Sequence, residues 1–201
     1  MTEFLAEKIK NYIQKAGEGW CFTPADFSNI ANNDVVRQTL SRLSRVGFID
    51  RLAQGVYYYP QYHDVLGKLP PKTEAIIDAI QNAYHIKCQP TGAYAANLLG
   101  LSEQMPTNIV LLTDGPSKKI KIGNKNIIFK RTTPKNMSTA GTITGLIIQA
   151  VKYIGKEHID KKHLKQIKNR LSEEQIKHLH REIYLAPAWI AKLIKSEVTG
   201  E

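Results

Sequence analysis

The sequence predicts an α+β protein of two domains, and three observations carry that expectation. Runs with helical periodicity alternate with short β-prone runs of strand length. A polar stretch from Gln61 to Lys72, punctuated by Gly67, Pro70 and Pro71, divides residues 1–66 from residues 67–201. Charge is unequal across the same point: the formal net charge is +10, yet residues 1–66 carry seven basic and seven acidic side chains. Residues 67–155 carry eleven against four, and residues 156–201 carry ten against seven. With 201 residues, 42% hydrophobic, and a mean hydropathy of −0.31, the chain can bury a core and is too polar for a membrane span. Cys21 and Cys88 are too few for a disulfide framework or a four-ligand zinc site, and the first residues lack a signal-peptide pattern. A cytoplasmic protein is expected.

In the first domain, Leu5, Ile9, Tyr12 and Ile13 fall on one helical stripe that Gly17 and Gly19 end. Thr23-Pro24-Ala25-Asp26 opens a second helix, expected over about 24–30, with a threonine cap, proline at the first helical position and an acid in the first turn. Asn32 and Asn33 offer caps for a third helix, in which Val36, Leu40 and Leu43 repeat before Gly47. Its other face holds Asp34, Arg37, Gln38, Ser41, Arg42 and Arg45. The runs Phe48-Ile49-Asp50-Arg51-Leu52 and Val56-Tyr57-Tyr58-Tyr59-Pro60 flank Ala53-Gln54-Gly55 as a hairpin.

Three helices followed by a hairpin is the order of a winged helix-turn-helix, whose third helix lies in the DNA major groove while the hairpin meets the backbone or the minor groove. The candidate contacts to double-stranded DNA are Asn33, Arg37, Gln38, Ser41, Arg42 and Arg45 on the helix, with Arg51, Gln54 and Tyr57 on the hairpin. Arginine bonds guanine bidentately, glutamine does the same with adenine, and serine and asparagine anchor phosphates. The same polar face also fits a solvated surface or a protein-docking module. Of Tyr57, Tyr58 and Tyr59, alternation predicts at least one in the core and leaves at least one for the sugar-phosphate backbone.

In the second domain, Ile76, Ile77 and Ile80 predict a helix over Thr73–Tyr84, and Thr91 is placed to cap another that Gly100 ends. Asn108–Thr113 is a continuous apolar run bounded by Pro106 and Asp114-Gly115-Pro116, as in a buried central strand. Lys119-Ile120-Lys121-Ile122, a Gly123-Asn124 turn and Asn126–Arg131 predict a hairpin with one wet face. From Lys118 to Lys135 there are seven basic residues (Lys118, Lys119, Lys121, Lys125, Lys130, Arg131 and Lys135) and no acid. This second basic surface fits either edge protection or contact with nucleic-acid backbone or an acidic partner. Helices are expected from Thr144 to Gly155, after the capping box Ser172-Glu173-Glu174-Gln175, and after Pro187.

The strings Phe22-Thr23-Pro24-Ala25-Asp26-Phe27, Leu40-Ser41-Arg42-Leu43 and Gly47 to Pro60, then Pro90 to Leu101 and Thr113-Asp114-Gly115, resemble AbiEi-type antitoxins. These are the antitoxin halves of abortive-infection (type IV) toxin-antitoxin operons. The resemblance covers roughly residues 20–155. It implies a winged-helix domain over 1–66 that represses its own operon at operator repeats, and an antitoxin domain over 67–201. The latter would counter a nucleotidyltransferase-like toxin, without a stable complex between the two.

No P-loop, GxGxxG after a strand, GxSxG or paired-carboxylate motif is present, so no catalytic residue and no cofactor are expected. Cys21, between Trp20 and Phe22, reads as a small buried hydrophobe. The spacing of His158, His163, His178 and His180 is not that of a zinc site. The competing functional reading is a freestanding winged-helix regulator whose second domain senses a ligand or dimerises; a protein-interaction module is the third.

Overall fold

The computed structural model describes residues 2–199 and has an α+β fold divided into two compact units, Met1–Ile86 and Lys87–Glu201. The boundary falls twenty residues later than the 66/67 division expected from composition. The reason is α3 (Thr73–Tyr84), which packs on the strands of the first unit and buries Ile76, Ile77 and Ile80.

In the first unit α1 (Thr2–Ala16) buries Ile9 and Ile13. Tyr12, expected on the same stripe, lies at its edge: it is 47% exposed while its ring touches Trp20 at 5.8 Å and Phe27 at 5.5 Å. The expected second helix is only a 3₁₀ turn, Pro24–Phe27. Thr23 and Asp26 form a reciprocal capping box, and the amides of Ile30 and Ala31 both turn back to the Phe27 carbonyl, leading the chain straight towards the next helix. There α2 (Asn33–Arg45) starts from Asn32, whose Oδ1 accepts from the Val35 amide at 3.0 Å. It buries Val36, Thr39 and Leu40.

The sheet of this unit has three antiparallel strands in the order β1 (Cys21–Phe22), β3 (Val56–Tyr58), β2 (Asp50–Ala53). The β2–β3 hairpin turns on two residues, Gln54 and Gly55, the latter at φ +74. The stretch expected as a divider is instead a second hairpin, β4 (Gln61–His63) with β5 (Gly67–Leu69). Tyr58, 1% exposed, ties it down: its hydroxyl donates to the Leu69 carbonyl at 3.0 Å and accepts from the Gln61 amide at 3.3 Å.

The second unit holds a mixed four-stranded sheet in the order β6 (Cys88–Thr91), β7 (Asn108–Thr113), β9 (Lys125–Arg131), β8 (Lys118–Ile122). Only β7 and β9 run parallel. Between β6 and β7 lies α4 (Gly92–Leu98). Thr91 does not cap it by its side chain; its hydroxyl donates to Gln149 Oε1 at 2.8 Å, pinning β6 to α6 (Ile143–Ile154). A short α5 (Pro134–Met137) precedes α6, and α7 (Lys161–Arg170), α8 (Glu173–Glu182) and α9 (Ala188–Ile194) complete the unit. Ala95, Ile147, Val151, Ile167, Leu179 and Ile190, all fully buried, form the centre of this helical layer.

Candidate nucleic-acid interface

The outward face of α2 is set by its core face. With about 100° per residue, Val36, Thr39, Leu40 and Leu43 turn one side into the unit, which leaves Arg37, Ser41, Arg45, Gln38 and Arg42 on an arc of about 140°. Arg37, Gln38, Arg42 and Arg45 are exposed and Ser41 is half-buried. From Arg37 to Arg45 the row is about 12 Å long, which matches the width of a B-form major groove. Asp34 is the one acid on this face. Asn33 is exposed in the first turn, beside the capping Asn32 and off the centre of the arc.

The β2–β3 hairpin presents Arg51 and Gln54 as exposed side chains. Tyr57 is a correction. On the central strand of its sheet, opposite Phe22, it is 4% exposed and its ring stacks on Phe22 at 6.0 Å and 19°. It therefore cannot touch DNA from this conformation. Tyr58 is also buried, and Tyr59 is half-buried against Phe48 at 5.2 Å. Lys68 of β5, which no sequence signal marked, donates from Nζ to Asp50 Oδ1 at 2.6 Å. That pair offsets the negative charge beside Arg51.

The basic run splits among three elements of the second unit. Lys118, Lys119, Lys121, Lys125, Lys130 and Arg131 lie on β8 and β9, and Lys135 is exposed on α5. A second basic element was not anticipated: α7 reads KKHLKQIKNR, with Lys161, Lys162, Lys165, Lys168 and Arg170 all exposed and no acid. The charge balance expected for the 66/67 division holds at the observed boundary too. Residues 1–86 carry nine basic and nine acidic side chains and residues 87–201 nineteen against nine, so the whole +10 belongs to the second unit.

Among the described residues no group of three His, Cys, Asp or Glu is placed to hold a metal. His163 is instead part of the cap of α7, with Nδ1 at 2.7 Å from Asp160 Oδ1, and His178 lies 3.5 Å from Glu182. Both cysteines are buried free thiols. Burial pushes Cys21 up to about 12 and Cys88 up to about 11, the reverse of what a nucleophilic thiolate needs. No helix among the described residues is long and apolar enough to cross a membrane.

No curated protein matches the chain. A family model does, over residues 8–179, and so across both units. The match spans most of the chain, and the chain belongs to the family of unknown function DUF6088.

Proposed function

We propose that the first unit is a winged helix-turn-helix that binds double-stranded operator DNA. We further propose that the chain is the cytoplasmic antitoxin and autorepressor of an AbiE-like, type IV operon, countering a nucleotidyltransferase-like toxin. The observation that carries the DNA-binding reading is the outward arc of α2, where Arg37, Gln38, Arg42 and Arg45 are exposed together on a helix anchored by its opposite face. Arg51 and Gln54 on the tight hairpin supply side chains for the flanking backbone. The antitoxin part rests on the sequence resemblance alone.

The test is a salt-controlled shift assay with the duplex upstream of the gene and a shuffled duplex. The variant R37A/Q38A/R42A loses sequence-selective binding; selective binding that survives in it overturns α2 as the reading helix. The same full-length variant, co-expressed with the product of the adjacent reading frame, still restores growth. If it is folded and fails to do so, the separation of operator reading from toxin neutralisation is wrong. An adjacent frame without nucleotidyltransferase character favours the freestanding regulator.

A further inference from the structure

Strand register sorts the basic run of the second unit between the two faces of its sheet. Directly opposed residues share a face. Lys119 lies opposite Ile128, which lies opposite Val110, and Lys130 lies opposite Leu112. Lys119, Lys121 and Lys130 therefore stand on one face with Val110, Leu112 and Ile128. Lys118, Lys125 and Arg131 belong to the other, with Ile120, Ile127 and Phe129. The three lysines of the first face are exposed and its three aliphatic side chains are half-buried.

Edge protection explains lysines on β8, the outer strand. It does not explain Lys130, because β9 is an interior strand paired on both sides. Lys119 and Lys121 are about 7 Å apart along β8, and Lys130 is the diagonal neighbour of Lys119 at about 7–8 Å. Among the described residues none of the three forms an ion pair with an acid. The result is an oblique row of three cations, Lys121, Lys119 and Lys130, along one side of an aliphatic strip formed by Ile128, Val110 and Leu112.

We propose that this face docks an acidic protein surface with an apolar centre. An apolar strip flanked by charge is the makeup of a protein–protein interface, and complementary charge steers such partners together. A nucleic-acid strand fits less well. No aromatic ring on these strands shares the face for bases to stack on, and Val110, Leu112 and Ile128 gain nothing from a phosphodiester chain. The proposal does not depend on α2 reading DNA.

The test uses the full-length chain and three labelled probes: a synthetic peptide alternating Glu and Leu, an all-Glu peptide of equal length, and a dT oligonucleotide. The alternating peptide binds tightest. K119E/K121E/K130E weakens it about tenfold, and K119Q/K121Q/K130Q by an intermediate factor, each with an unchanged circular dichroism spectrum. K162E/K165E/K168E, the same charge change on α7, leaves it within about twofold. Equal loss in both charge-reversal sets reduces the effect to net charge and overturns the proposal. So does tightest binding of the oligonucleotide at these lysines, or failure of the wild-type chain to prefer the alternating peptide.

Discussion

If α2 and its hairpin hold the DNA, the salt dependence of operator binding has a ceiling that the structure sets. The exposed cations of that surface are Arg37, Arg42, Arg45 and Arg51. Were all four to neutralise phosphates, the slope of log affinity against log salt would be roughly −3.6 per protomer, a loss of roughly 150-fold between about 50 and 200 mM salt. Arg51→Ala removes one such contact, bringing the slope to roughly −2.7 and the loss over the same range to roughly 40-fold. Because Arg51 stands on the hairpin and not on the helix arc, operator and shuffled duplex should weaken by the same factor. Arg42→Ala should behave differently. A side chain bidentate to a guanine carries roughly 1–3 kcal/mol, so the operator should lose about 5- to 150-fold while the shuffled duplex loses only a few-fold. Fluorescence anisotropy across a salt series, with both duplexes and all three proteins, reads each quantity. A wild-type slope well steeper than about −4 per protomer would refute the assignment, because the extra counterions would have to come from cations outside α2 and its hairpin.

Gly145→Ala should cost roughly 1–3 kcal/mol or more, since a Cβ there would sit 2.1 Å from the Thr139 carbonyl oxygen and 2.5 Å from Gln89 Oε1; a urea midpoint equal to wild type would contradict it. Tyr58→Phe should lose roughly 1–2 kcal/mol and open the β4–β5 hairpin to limited proteolysis, because the Leu69 carbonyl and Gln61 amide lose their shared partner. In alkali, the unfolded chain releases the Cys21 and Cys88 protons near the ordinary value of 9.0, whereas the folded chain keeps them to about 12 and about 11. The folded state thus holds more protons over that window, and stability from these groups, complete below about pH 9, falls as pH rises through it. The C21A/C88A variant should show a shallower alkaline decline in denaturation midpoint, and an equal decline would remove the thiols from the account.

Elements whose limits are written by local chemistry were legible. The strand Asn108–Thr113 follows from an unbroken apolar run between Pro106 and Asp114, and α2 from Asn32 before it and Gly47 after it. Elements that exist through a partner were not. Two residues, Cys21 and Phe22, show no period of their own and become a strand only by pairing with Tyr58 and Tyr57. The β4–β5 hairpin is exposed along nearly its whole length, so it has no apolar alternation to read. In α7 the buried face is only Leu164 and Ile167 among lysines. For the candidate interface, periodicity placed the helix arginines, but three consecutive tyrosines carry no phase. The central place of β3 buries both Tyr57 and Tyr58 although they point to opposite faces, and the stacking of Tyr57 on Phe22 removes it from the surface.

The same limit applies to charge. A net +10 suggests a basic protein that holds nucleic acid everywhere, yet residues 1–66 already balance at seven basic against seven acidic side chains. Assigning α3 to the first unit brings Lys68 and Lys72 together with Glu74 and Asp78, so the first unit stays neutral to the last charge. A neutral domain cannot hold DNA by bulk attraction, so whatever affinity α2 has for a duplex must come from the placement of four arginines, and non-operator sequence should be held weakly. The second unit is the reverse, with nineteen basic side chains against nine acidic ones and exposed cations on β8, β9 and α7. A partner of that surface should be acidic, and the position of Lys130 on an interior strand is what protection of an edge does not explain.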